Sequence, residues 1–127
     1  MIKIFNPKIL QVVTPPNNLI EVISFFKRKK IKCVYEIRGS WDLSYKINNK
    51  IKKKKEYVTK YLSNEIIVCR NVDKIIPITR QIQKKVMKLT KITDMNKYFI
   101  LPNCPVTTFL SPHIKYDLEP IKILCVV

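Results

Sequence analysis

The sequence has no alanine, one glycine (Gly39) and one histidine (His113) among its 127 residues. A single glycine excludes a Gly-rich phosphate-binding loop, because such loops need several residues without a Cβ at close spacing. His113 has no evident orienting partner, and no carboxylates are paired at helical spacing. Only four arginines are present and none lies in a phosphate-cradling loop, which disfavours an acyl-phosphate hydrolase. The sequence therefore predicts a protein that is not an enzyme and that uses no cofactor.

Acidic residues are also scarce. There are 9 Asp and Glu against 25 Lys and Arg, so the formal net charge is +16. A charge of this size on a small body predicts a polyanionic partner. Because 46% of the residues are hydrophobic, the chain can form a core and is not a disordered basic tail. No stretch reaches the roughly 18 unbroken apolar residues that a membrane span needs.

The amino-acid usage points to an AT-rich genome. Alanine and glycine need GC-rich codons, whereas the 20 Ile, 21 Lys and 9 Asn of this chain use AT-rich codons. An organelle is the favoured source, with an AT-rich nuclear or bacterial genome as the alternative. The segment Met1 to Lys8 has no Arg, no Ser and no amphipathic helix, so it does not resemble a transit peptide. We therefore expect a protein made and used inside an organelle, where ribosomal and respiratory-chain proteins are the leading candidates.

Four cysteines are present, at positions 33, 69, 104 and 125. Their separations of 36, 35 and 21 residues do not resemble the spacing of metal ligands. No signal peptide indicates secretion, so reduced and mostly buried thiols are expected. The sequence predicts no metal site.

The hydrophobic pattern predicts two strand–helix–strand units joined by a basic linker. In the first unit, Leu19, Val22, Ile23 and Phe26 form one apolar helical face between strands at 1–13 and 31–38. The second unit has a strand at 65–70, a helix starting near Pro77, an extended arm at 98–110, a turn at 111–113 and a terminal strand at 121–127. The second helix is predicted to have one apolar and one basic face. The apolar face consists of Ile78, Ile82, Val86 and Leu89, and Ile75 extends it if the helix begins earlier. The basic face consists of Lys84, Lys85, Lys88 and Lys91. This order predicts an α+β, ferredoxin-like sandwich, in which both helices cover one face of an antiparallel sheet.

Part of the second unit resembles a known family. Leu101-Pro102, then Thr108-Phe109-Leu110, then Ser111-Pro112-His113-Ile114-Lys115 is similar to the middle of small-subunit ribosomal protein ten, of the bacterial and organellar type. In that family a Ser-Pro-His-Val turn lies at the tip of a long hairpin. Val72-Asp73-Lys74 and the helix after it resemble the family's first strand and helix. Residues 65–119 thus resemble its N-terminal half.

The C-terminal half of the family is found upstream, which suggests a circular permutation. Residues 8–16 resemble its third strand, and the helix and strand up to Arg38 resemble its second helix and last strand. We therefore expect one structural domain made of residues 1–38, a basic linker at 39–64, and residues 65–127 with a long hairpin arm. The permutation predicts that Arg38 and Glu65 lie on adjacent antiparallel strands.

The resemblance implies a structural role in the head of the small subunit of an organellar, most plausibly mitochondrial, ribosome. The implied partners are small-subunit rRNA and the neighbouring small-subunit proteins three and fourteen. We expect the protein to be ribosome-bound in the mitochondrial matrix (or in a plastid), with no membrane association and no homo-oligomer. The alternative function is a basic accessory subunit of an organellar membrane complex of the respiratory chain.

The predicted RNA contacts lie on the linker, the second helix and the hairpin tip. Lysine contributes affinity for phosphate and little sequence choice. The candidates are Lys50, Lys52, Lys53, Lys54, Lys55, Lys60, Lys84, Lys85, Lys88, Lys91, Ser111, His113 and Lys115. Four aromatic residues lie among the linker charges and either stack on bases or fix the linker to the domain: Trp41, Tyr45, Tyr57 and Tyr61.

Overall fold

A computed structural model of the chain describes residues 6–40, 54–103 and 123–126. Three α-helices and four strands lie within these ranges, and they alternate along the chain. The elements are β1 (Ile9–Val13), α1 (Leu19–Arg28), β2 (Lys32–Ile37), α2 (Lys54–Asn71), β3 (Lys74–Pro77), α3 (Arg80–Thr90), a 3₁₀ helix (Met95–Lys97) and β4 (Ile123–Val126).

The strands form one sheet in the order β3-β2-β1-β4, and its three strand pairs are parallel. A short segment at 98–101, which we call the outer segment, continues the sheet beyond β3. Tyr98 forms a parallel bridge with Ile75. The N–H of Phe99 donates to the carbonyl of Ile75 at 2.9 Å, and the N–H of Leu101 donates to the carbonyl of Pro77 at 3.2 Å. The outer segment therefore runs parallel to β3 at the edge of the sheet.

All three helices lie on one face of the sheet. The connections through α1, α2 and α3 each step in the same direction across the sheet, from β1 toward the outer segment. Because such connections are right-handed, they place their helices on the same side. The contacts agree, since α1 packs on α2 and α2 packs on α3. The core lies between this layer and the sheet, and its fully buried strand residues include Leu10, Val12, Cys33, Tyr35 and Ile75.

Helix α1 has the predicted apolar face. Leu19, Ile23 and Phe26 are buried at the i, i+4 and i+7 positions, against the sheet and α2. At its end the N–H groups of Lys29 and Ile31 both donate to the carbonyl of Phe26, at 3.0 and 3.2 Å. The prediction of a helix here is confirmed. The strands predicted at 1–13 and 31–38 are confirmed over Ile9–Val13 and Lys32–Ile37, and residues 1–5 lie outside the described part of the chain.

Helix α3 begins later than predicted. Pro77 is the last residue of β3, and Thr79 caps the helix by accepting a hydrogen bond from the N–H of Ile82 at 3.2 Å. The buried positions are Gln83, Val86 and Thr90, so the predicted apolar stripe is correct only in part. A proline at a strand end is as compatible with the local pattern as a proline in a first helical turn.

The predicted strand at 65–70 is wrong, because these residues form the last turns of α2. The short apolar run there fits a buried strand and a buried helix equally well. The buried residues in and directly after α2 recur mainly every three or four positions, which is the spacing of a helix and not of a strand. They are Val58, Tyr61, Glu65, Val68, Cys69 and Val72. Residues 54–64 of the predicted linker are therefore helical, and its residues 41–53 lie outside the described part of the chain.

The fold is mixed α and β as predicted, but the antiparallel ferredoxin-like sheet is not what the structure shows. The strand pairs are parallel, and Arg38 and Glu65 do not lie on adjacent antiparallel strands. When α2 replaces the predicted strand, it becomes a crossover from β2 to β3, and such a crossover makes the two strands parallel. The predicted hairpin tip, which includes Ser111 and His113, lies outside the described residues.

Two further observations concern expectations from the sequence. Cys33 and Cys69 are free and buried, as predicted for these two thiols. Among the helices that the structure describes, none is long and apolar enough to cross a membrane.

Candidate nucleic-acid interface

Cations collect along the end of the sheet where the strands begin and the helices end. This end is distinct from the lateral edge that the outer segment forms. Each helix runs antiparallel to the strands, so the C-terminal ends of α1, α2 and α3 meet at the end where the strands begin. We call this surface the basic edge. Its cations are Lys27, Arg28, Lys29, Lys30, Lys32, Arg70, Lys74 and Lys97, all exposed except Lys97, which is half-buried.

The turn after α1 places four cations in succession at the basic edge. Lys30 has a positive φ of 58°, which reverses the chain between the helix and β2. The N–H of Lys30 donates to the carbonyl of Lys27 at 2.9 Å. Residues 27–30 are therefore held on ordered backbone, and their side chains point to solvent.

Several amines at the basic edge contact carbonyl groups at the end of α2 and in the 3₁₀ helix. Lys27 Nζ donates to the carbonyl of Asn71 at 2.8 Å, and Lys97 Nζ donates to the carbonyl of Arg70 at 3.2 Å. Lys74 Nζ donates to the carbonyl of Asn96. These bonds satisfy helix-end carbonyls and stabilise the negative ends of the helix dipoles. They also hold the positive charges in place.

Asp73 is an acidic residue within the basic edge and pairs with Lys32. Its Oδ2 accepts a hydrogen bond from the N–H of Cys33 at 2.8 Å, and its Oδ1 lies 3.5 Å from Lys32 Nζ. The side chain of Lys32 is 74% exposed, so this ion pair is worth little. Asp73 and Lys32 line an open cleft together with Lys27, Lys30 and Ile31.

The basic edge has a large excess of positive charge. Three helix C-termini contribute roughly −0.5 elementary charge each, and Asp73 and Asp94 add two negative charges. The eight cations outweigh these negative charges and leave a net charge of roughly +4 to +5 at the basic edge. Dipole stabilisation alone therefore does not account for the number of cations, and the edge attracts polyanions.

The predicted linker lysines do not join the basic edge. Lys55 and Lys60 are exposed on the first half of α2. At 1.5 Å per residue they lie about 22 and 15 Å along the helix axis from Arg70. Lys54 begins the helix. The remaining predicted contacts lie outside the described residues: Lys50, Lys52, Lys53, Ser111, His113 and Lys115.

Helix α3 carries a second basic surface. Arg80, Lys84, Lys88 and Lys91 are exposed at the i, i+4, i+8 and i+11 positions, which place them on one side of the helix. We call this row the basic stripe. Lys85, predicted with them, is separated from the stripe: it is half-buried and lines a cleft between α2 and α3.

Sequence reasoning missed the basic edge as a binding surface. In the sequence, Lys27 to Lys30 have the ordinary pattern of cations at a helix end, and Lys32, Arg70 and Lys74 are isolated. One signal was present, since Lys32 and Lys74 each begin a strand. Only a parallel sheet brings the beginnings of these strands to the same edge.

A buried polar pair lies on the other side of the core, between β2 and α2. The hydroxyl of Tyr35 donates to Glu65 Oε1 at 3.1 Å, and Glu65 is only 4% exposed. Burial, and then the neighbouring carboxylate, raise the pKa of Tyr35 well above its usual range. Burial likewise raises the pKa of the Cys69 thiol. Tyr61 is buried beside them and Tyr57 is exposed, so of these two tyrosines only Tyr57 is placed to stack on a base.

The raised pKa of Tyr35 predicts a loss of stability at alkaline pH. The native protein keeps the phenolic proton when the unfolded chain has lost it at its ordinary pKa of about 10. This contribution is therefore fully present below about pH 10 and declines as the pH rises, by up to about 1.4 kcal/mol per pH unit. We expect the stability difference between the wild type and Tyr35→Phe, measured by urea unfolding, to shrink from pH 9 to pH 11. A difference that grows over this range would contradict the assignment; comparing two variants cancels the titration of the lysines.

No family model, no curated protein and no solved structure matches the chain. Within the described ranges, no group of three or more His, Cys, Asp or Glu side chains could hold a metal ion. The function is therefore argued from the charge and geometry of the basic edge.

Proposed function

We propose that the protein binds structured RNA through its basic edge and is a structural component of the small subunit of an organellar ribosome. The observation that carries this proposal is the concentration of eight cations on one edge, in excess of local acids and helix dipoles. The resemblance of residues 65–119 to small-subunit ribosomal protein ten suggests that the RNA-containing particle is the small ribosomal subunit. Mitochondria are the favoured organelle, as the amino-acid usage suggests, and plastids are the alternative.

The dimensions of the basic edge favour a polymer over a small anion. Neighbouring helices pack about 8–10 Å apart, so the ends of three helices span roughly 20 Å. Most of the cations are lysines, which contact phosphate as point charges and do not read bases. Such a surface neutralises a folded RNA backbone. An architectural role in a ribonucleoprotein particle follows, with neighbouring small-subunit proteins as further partners.

Binding to a small-subunit rRNA transcript is expected to depend steeply on salt. If six of the edge cations contact phosphate, affinity should fall about 10³-fold between 50 and 200 mM salt. Fluorescence anisotropy at several salt concentrations measures this slope. A slope corresponding to one or two contacts would contradict the proposal, because so few contacts do not require a surface of eight cations.

The particle itself is tested on sucrose gradients of organelle lysate. We expect the protein to sediment with the small subunit, and to remain with it when low magnesium dissociates the two subunits. Sedimentation away from ribosomal subunits, for example with detergent-solubilised respiratory complexes, would contradict the ribosomal assignment. The salt slope would still report RNA binding, so the two parts of the proposal are tested separately.

A further inference from the structure

The 3₁₀ helix and the outer segment that follows it expose large apolar side chains. Met95, Phe99 and Leu101 are 57%, 61% and 52% exposed. They lie within seven consecutive residues at one edge of the sheet. Exposed edge strands are usually protected by charge, proline or covering structure, because their free backbone groups pair with other chains. Apolar side chains at such an edge indicate an interaction site.

The register of the outer segment shows which of its groups are free. Tyr98 is buried on the helix-covered face and pairs with Ile75, so Phe99 and Leu101 lie on the opposite face. The N–H groups of Phe99 and Leu101 point inward to β3. The backbone groups of Ile100 therefore point away from β3. Among the described residues they make no hydrogen bond, so Ile100 presents the donor and acceptor that an added strand would need.

The basic stripe of α3 lies above this same edge. Ile82, Lys85, Val86 and Leu89 line the cleft toward α2, and their mean direction around the helix lies roughly 150° from Lys84 and about 110° from Lys88. The stripe is therefore on the side of α3 that faces away from α2. Because α3 connects β3 to the outer segment, that side overlooks the open edge of the sheet.

We propose that the outer segment pairs with an extended segment of a partner protein in which apolar and acidic residues alternate. In an added strand, successive side chains point to opposite faces. One set would pack beside Phe99 and Leu101, and the other would face the basic stripe. A second copy of this chain does not fit, because two molecules with a charge of +16 repel each other. The proposal goes beyond RNA binding, since it assigns the stripe to a protein and leaves RNA to the basic edge.

The probe is a fluorescein-labelled peptide of four Val-Glu repeats, measured by fluorescence anisotropy with the full-length protein. We expect binding at 50 mM salt that weakens as salt rises. The same peptide N-methylated on the backbone nitrogens of its four central residues should bind at least about tenfold more weakly, because it lacks the backbone donors for pairing in either direction. A peptide of four Val-Lys repeats should not bind. Equal binding of the N-methylated peptide would overturn strand pairing.

The matched substitution is Ile100→Pro against Ile100→Val. The N–H of Ile100 points outward, so proline removes a donor for the partner without removing either bond to β3. We expect Ile100→Pro to weaken the Val-Glu peptide about tenfold and Ile100→Val to leave its affinity unchanged. Thermal unfolding checks that both variants remain folded. Unchanged peptide affinity in a folded Ile100→Pro protein would contradict the proposal.

A second pair of variants tests the stripe. Arg80→Glu/Lys84→Glu, which leaves the end of α3 at the basic edge unchanged, should weaken the Val-Glu peptide at least about tenfold, whereas Lys55→Glu/Lys60→Glu, with the same change in net charge, should change it less than about threefold. Binding of rRNA should survive in the α3 variant. If the α3 variant no longer binds rRNA but binds the Val-Glu peptide with unchanged affinity, the stripe belongs to the RNA interface and the proposal fails.

Hydrogen exchange and sedimentation distinguish the other occupants of the edge. The Ile100 amide should exchange rapidly in the isolated protein and become protected when the Val-Glu peptide is added. Protection in the isolated monomer would mean that the chain itself covers the edge. A dimer that Ile100→Pro dissociates would mean that a second copy covers it. Either result would overturn the assignment to an acidic partner.

Discussion

Replacing Lys27, Lys30 and Lys32 together by glutamate is expected to weaken binding to small-subunit rRNA about hundredfold or more at 100 mM salt. These side chains are exposed, converge on one cleft and lie at the centre of the basic edge. Each change removes a phosphate contact and adds a repulsive charge, so the salt slope should also fall by about two to three. Stability should change little, because among these lysines only Lys27 makes a hydrogen bond that reaches a helix end. The measurement is anisotropy with labelled rRNA across a salt series.

The control is a triple variant of exposed lysines away from the basic edge, Lys55→Glu/Lys60→Glu/Lys84→Glu. It changes the net charge by the same amount. Its rRNA affinity should fall less than about fivefold, through the long-range field alone. Equal losses in the two triple variants would show that net charge, and not the basic edge, determines RNA binding. In that case the edge would not be the RNA interface.

Replacing Tyr35 by phenylalanine is expected to lower the free energy of unfolding by about 2 kcal/mol. Tyr35 is fully buried, and its hydroxyl donates to a carboxylate that is itself almost completely buried. Removal of this donor leaves Glu65 less well solvated in the core, and hydrogen bonds to charged groups are worth more than neutral ones. Urea unfolding at pH 7, followed by circular dichroism, measures the change.

A double-mutant cycle identifies the physical cause. In a Glu65→Leu background no carboxylate remains to be solvated, so Tyr35→Phe should cost less than about 1 kcal/mol. The difference between the two costs is the coupling energy of the pair. If the two substitutions are additive within about 0.5 kcal/mol, the buried hydrogen bond does not stabilise the fold and the cost of Tyr35→Phe has another origin.

Local periodicity was sufficient where one face of an element contacts the core. Helix α1 and strand β2 were predicted because the spacing of their apolar residues fits one secondary structure only. Local periodicity was insufficient at residues 65–70, where four consecutive apolar residues suit a helix or a strand. The helical spacing of positions 58, 61, 65, 68 and 72, which identifies α2, is visible only when Glu65 is counted as buried. A glutamate is not expected in a core, and it is accepted there because Tyr35 donates to it.

For the candidate interface, too, some features could be predicted from the sequence and others depended on the tertiary structure. The sequence by itself determined that the chain is strongly cationic and has enough apolar residues for a core, because composition fixes charge and apolar content. The expectation of a polyanionic partner rests on this charge. The sequence did not determine where the charge is concentrated. That depended on α2 being a helix, which makes β2 and β3 parallel and brings the helix ends and the strand beginnings to one edge. Lys27, Lys32 and Lys74 are up to 47 residues apart in the sequence, and only the tertiary structure makes them neighbours, because the direction of strand pairing is set by long-range contacts and not by local pattern.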